Sequence, residues 1–182
     1  MINAGRIYLE VKRYGTMTGM DEVDEIVAAW RRERPDLDVA PLLVLSRVSR
    51  LAAILDDRRA VAFADHGLQA HEFDVLAALR RAGEPFELTA GELSALTHVT
   101  SGTMTSRLDR LTSRRLVSRH PDPDDGRLVR VRLTAAGRRQ LDAAFAALVQ
   151  SERELLDALA QDRRDDLAAA LRVLLVAATP IR

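Results

Sequence analysis

The 182 residues predict a mainly helical fold carrying one small β-hairpin, and three observations carry that prediction. From Asp21 onward, apolar residues recur at three-and-four spacing through most of the chain, the mark of helices with one buried face. The stretch "TAGE", Thr89 to Glu92, has the form of a capping box, and Thr100 stands as a second cap ahead of "SGTMTSRLDRL", so two short helices follow one another closely. Behind them "LVSRH", the turn "PDPDDGR" and "LVRVRL" alternate apolar and polar residues with the period of two strands and a tight connection.

Each element follows from its own signals. Residues 1–20 mix the strand-like "RIYLEV" with three glycines and are expected to form an extended or disordered arm. Val23, Ile26, Val27 and Trp30 then mark a first helix, which ends before Pro35 because the residue ahead of a proline disfavours helix. Pro41 opens a long second helix with Leu42, Leu45, Val48, Leu51, Ala52 and Leu55 on one stripe, ending near Gly67. "AHEFDVLAALRRAG" is a third, with Phe73, Leu76 and Leu79 inward and Gly83 as its stop. After the paired short helices and the hairpin, Thr134 caps a long helix carrying Leu141, Phe145 and Leu148, and Asp162 begins a last one through Leu167, Leu171, Leu174 and Leu175. The expected organisation is an arm at 1–20, N-terminal helices at 21–66, a helix-turn-helix with a hairpin wing at 67–134, and C-terminal helices at 135–182.

Composition excludes more than it assigns. Lys+Arg and Asp+Glu are both 27, so net charge favours no partner and any nucleic-acid argument has to be local. Lys12 is the one lysine, a bias toward arginine that a GC-rich coding sequence also explains. Without cysteine there is no disulfide, thiol switch or zinc-thiolate site. No apolar run reaches the roughly 18 residues of a membrane span, and no signal-peptide core opens the chain, so a cytoplasmic protein without a membrane partner is expected.

The local charge is informative. Between Thr89 and Thr134 stand eight arginines against five carboxylates, which makes a basic module within a neutral chain. On the helix after Thr100, Met104, Leu108 and Leu111 share the core face, while Ser101, Gly102, Thr103, Thr105, Ser106 and Arg110 lie on the rest of the surface. Small hydroxyls, a glycine and an arginine suit a helix that lies deep in a major groove, although a helix start also favours Ser and Thr for capping alone. In the hairpin turn the prolines fix φ, Gly126 permits positive φ, and Asp124 or Asp125 is expected to brace an arginine while Arg127 projects into a minor groove. A solvated hairpin tip is the alternative.

From Asp21 to the end, and most closely over "LTAGELSALTHVTSGTMTSRLDRLTSRRLVSRHPDPDDGRLVRVRLTAAG", the chain resembles the MarR family of winged-helix transcriptional regulators. The hydroxyl-rich second helix, the D-D-x-R wing and the T-x-x-G helix start carry the likeness. The resemblance implies a homodimer with interlocked first and last helices, recognition helices in successive major grooves of a pseudo-palindromic double-stranded DNA operator, and wing arginines in the flanking minor grooves. Many members have two adjacent arginines at the wing tip; Gly126 takes the first place here, which leaves the contact to Arg127. A narrower likeness, to urate-responsive members, rests on Trp30, Asp74, Arg107 and Arg119. It implies that Arg107 pairs with Asp74, that Arg119 anchors a small anionic or aromatic effector such as a purine, and that Trp30 donates to it or packs on its ring. A core tryptophan and a structural ion pair are the plainer alternative.

Four scattered histidines, no glycine-rich phosphate loop, no nucleophile elbow and no HExxH speak for neither a metal nor a cofactor nor catalytic residues. The expected function is a ligand-responsive repressor. A winged-helix scaffold binding protein instead of DNA, and a small-molecule enzyme, remain as rivals without a positive sequence signal.

Overall fold

The computed structural model describes residues 19–126 and 128–179, and the expected arm at 1–20 lies almost wholly outside them. The chain divides into two compact units at Ile54 and Leu55. The first holds α1 (Glu22–Glu33) and the beginning of α2 (Pro41–Ala64), which continues into the second. Asp21 caps α1 by accepting from the amides of Val23 and Asp24, and the Asp24 carboxylate accepts from the Asp21 amide in return. Arg47 of α2 pairs with Asp21 at 2.7 Å and Asp24 at 2.8 Å, and Arg50 pairs with Glu22. Carboxylates at a helix N-terminus already favour the helix dipole, so these arginines fix α2 beside it. Val23 and Val27 are buried as their spacing requires, whereas Trp30 is 50% exposed and is not a core residue.

The second unit contains α3 (Ala70–Arg81), β1 (Glu87–Thr89), α4 (Ala90–Leu96), α5 (Ser101–Ser113), β2 (Val117–Pro121), β3 (Val129–Leu133), α6 (Ala135–Leu156) and α7 (Gln161–Ala178). Its core gathers Val75, Leu76 and Leu79 of α3, Leu93 of α4, Met104, Leu108 and Leu111 of α5, Val131 of β3 and Leu141 of α6. The Phe63 and Phe73 rings stack within it. The sheet is antiparallel in the order β1-β3-β2, with Leu88 opposite Val131 and Val117 opposite Leu133. The hairpin therefore has a third strand that periodicity did not announce, because Glu87–Thr89 spans too few residues to show alternation before Thr89 turns to capping α4. Arg58 and Arg59 at the end of α2 bond to Ser151 and Glu152 of α6. Two expectations about burial differ. Leu45, Val48 and Leu51 of the α2 stripe are exposed in the single chain, and among the described residues of α7 none is buried.

A candidate nucleic-acid interface

Helices α4 and α5 form the expected helix-turn-helix. Thr89 and Glu92 close a capping box on α4, and the Thr100 hydroxyl accepts from the Thr103 amide to start α5. Between them His98 takes a left-handed φ of 53°, which lets the chain reverse in a few residues. Met104, Leu108 and Leu111 are 1%, 2% and 0% exposed, so α5 can present only its other side. That side holds Ser101, Gly102, Thr103, Thr105, Ser106 and Arg110, all exposed. The hydroxyls of Thr105 and Ser106 donate to the carbonyls of Ser101 and Gly102 one turn back, so their oxygens face solvent as acceptors. A Cβ on Gly102 would meet no atom within 4 Å. Its lack of a side chain serves an outside surface and not internal packing.

Beside this face, His71 of α3 and Thr103, Ser106, Arg107 and Arg110 of α5 line a shallow cleft of about 270 Å³. Behind it stands a carboxylate that sequence reasoning passed over. Glu72 is 1% exposed; its Oε2 accepts from the Gln69 amide at 3.0 Å and from Arg114 Nη1 at 2.7 Å, while Arg110 Nε lies 3.6 Å from Oε1. Burial pushes its carboxyl up, but the Gln69 amide and the Arg114 guanidinium outweigh that and hold it below the usual glutamate value. The ion pair expected between Asp74 and Arg107 is not formed, and Asp74 is exposed. Two residues along a helix is a rotation of about 200°, so with Glu72 turned toward α5, Asp74 faces elsewhere. Position N3 of a helix opening with Gln69 was the available signal for Glu72.

Arg119 is partly sheltered on β2. Its Nη1 donates to Asp109 at 2.8 Å and its Nη2 to the Thr105 carbonyl at 3.3 Å, while its buried Nε has no partner among the described residues. It thus clamps α5 from the sheet. Trp30 belongs to the other unit.

At the wing, Arg127 lies outside the described residues. Asp122 is a bracing carboxylate that sequence reasoning passed over: its Oδ1 accepts from the amides of Asp124 and Asp125, and its Oδ2 from Arg130 Nε at 2.5 Å. Flanked by Pro121 and Pro123, Asp122 is set where its side chain closes the turn. Gly126 is not among the glycines with positive φ, so the turn does not need it for that reason. At the base of the wing, Glu87 accepts from Arg132 Nε at 2.7 Å and pairs with His120 Nε2 at 2.9 Å, tying β1 to both other strands. Glu87 was legible only once β1 was known to pair with β3.

The fold and site define a winged helix-turn-helix protein. The MarR family model matches residues 66–128. The chain is 37% identical over 150 residues to the HTH-type transcriptional regulator PecS of Dickeya dadantii, covering 82% of this chain and 90% of PecS. Among solved structures it is similar to a mutant MarR from E. coli complexed with operator DNA, at 28% identity and a TM-score of 0.61, over 76% of this chain and 99% of that one. It shares its fold with a MarR family protein from Bacillus stearothermophilus, at 24% identity and a TM-score of 0.68, over 79% and 99%. The chain belongs to the MarR family of transcriptional regulators, which are not enzymes. Among the described residues no helix is long and apolar enough to cross a membrane.

Proposed function

We propose that the chain is a homodimeric, sequence-specific DNA-binding repressor of the cytoplasm, modulated by a small anionic effector. The observation that carries the DNA reading is the surface of α5: three buried apolar residues fix which side faces outward, and that side is hydroxyls, an open glycine and Arg110. A similar solved structure, complexed with operator DNA, supports the DNA reading. On this reading Arg127, in the turn between β2 and β3, contacts the adjacent minor groove. Dimerisation is supported by α7, which carries Leu167, Val173, Leu174 and Leu175 exposed in the single chain. On this reading 67–134 binds DNA while 21–66 and 135–182 pair the subunits.

Arg119 supports the effector reading, with Trp30, Asp74 and Arg107 as the further candidates. An anion that draws its guanidinium away releases Asp109 and the Thr105 carbonyl, and with them the hold of the sheet on α5. The test is a fluorescence-anisotropy titration onto the DNA upstream of the protein's own reading frame, against random competitor, repeated with urate and xanthine. Saturable binding that survives competitor is expected, as is release by a purine in the wild type and not in Arg119→Ala. Binding no stronger than to random DNA at several salt concentrations would overturn the DNA reading.

A further inference from the structure

Glu72 has one oxygen fully used and one that is not. Oε2 takes the Gln69 amide and Arg114, whereas buried Oε1 accepts no hydrogen bond from the described residues. An unpaired oxygen of a buried carboxylate is costly, and the nearest available cation is Arg110, its Nε 3.6 Å away. Arg114 cannot serve both purposes, because its other Nη donates to the Gly67 carbonyl at 2.6 Å. Arg110 differs from Arg114 in being 57% exposed. On the wheel it stands within about 20° of Thr103 and about 40° of Ser106, on the outward face of α5.

We propose that Glu72 is a positioning residue for sequence reading: it holds the Nε edge of Arg110 from behind and leaves the two Nη groups as a fork for one guanine in each half-site. The proposal rests on the DNA-binding reading above and deepens it. A free arginine side chain loses about 2 kcal/mol of rotamer freedom when it is held in one geometry, and a carboxylate behind it reduces the part of that loss left to the moment of binding. Guanine presents O6 and N7 as two acceptors side by side in the major groove, which an arginine fork matches; adenine offers a donor in place of one of them. A backbone phosphate is the poorer partner. It needs net positive charge more than orientation, and a carboxylate 3.6 Å from Nε offsets that charge.

The test carries a library of random duplex DNA through selection with full-length wild type, Glu72→Gln, Arg110→Ala and Arg110→Lys, and compares base preferences position by position. Wild type is expected to enrich a motif with a guanine that Arg110→Ala no longer prefers. Glu72→Gln is expected to lose about tenfold of that preference, with the other positions and the salt dependence of binding unchanged. Arg110→Lys keeps the charge without the fork and leaves Glu72 in place, so it tests the fork if Glu72→Gln fails to fold; it too is expected to lose the guanine. Full guanine preference in folded Glu72→Gln or in Arg110→Lys would overturn the proposal. So would an unchanged motif in Arg110→Ala with a salt slope reduced by about one, the sign of a phosphate contact. If wild type enriches no motif, the DNA-binding reading falls, and the proposal with it.

Discussion

Gly137 and Gly102 both sit near a helix start, yet physics assigns them opposite roles. A Cβ on Gly137 would lie 2.1 Å from the Leu116 carbonyl oxygen and 2.9 Å from Leu133 Cδ1, because Thr134 ties the start of α6 to the end of the α5 turn. Gly137→Ala is expected to destabilise the fold by about 2–3 kcal/mol in urea denaturation; a midpoint equal to wild type would show that the contact yields freely. Gly102→Ala meets open space, so it should raise stability by up to about 1 kcal/mol while weakening operator binding, since the methyl occupies room the groove needs. Asp122 belongs to this scale too. The Asp124 amide, Arg130 and the Asp125 amide hold its carboxyl below the usual aspartate value despite burial. A carboxyl lowered in the folded state adds stability above its unfolded value, about 4, and that stability is lost as pH falls through the folded value. The stability gap between wild type and Asp122→Asn should therefore be widest at neutral pH and close below about pH 4. A gap that is constant from pH 7 to 3 would mean that charge plays no part in the brace.

Among the elements, the wing owes its shape to two carboxylates and its proposed function to one arginine. Glu87 and Asp122 take up Arg130 and Arg132, so those two are engaged in holding the sheet. Arg127→Ala is expected to weaken operator binding and lower the salt slope by about one, with the fold unchanged. An unaltered slope would remove the wing from the interface. The capping box at Thr89, the Thr134 start of α6 and the apolar stripe of α5 were legible, because capping and helical periodicity are local in sequence. The strand β1 and the pairing of Asp122 with Arg130 were not, since both depend on which residue a paired strand brings alongside.

For the whole molecule, the deciding feature is what one chain leaves uncovered. α7 has Val173, Leu175 and Val176 at 69%, 68% and 72% exposure, more apolar surface than a lone soluble helix keeps without a partner. Leu175→Glu is expected to shift sedimentation from dimer to monomer at micromolar concentration and to cost more than tenfold in operator affinity, because two half-sites are then no longer held about 34 Å apart. A dimer with full affinity would place the subunit contact elsewhere.

The sequence by itself determined the helices, their caps, the buried face of α5 and hence which residues α5 can offer outward, since periodicity and capping are set by neighbours a few positions away. Only the tertiary structure decided which charges meet. Asp74 and Glu72 are two residues apart on one helix and equally acidic on paper, but the rotation of α3 against α5 buries Glu72 beside Arg110 and Arg114 and leaves Asp74 in solvent. Ion pairing depends on distances of a few ångströms across elements, and no spacing along the chain encodes them.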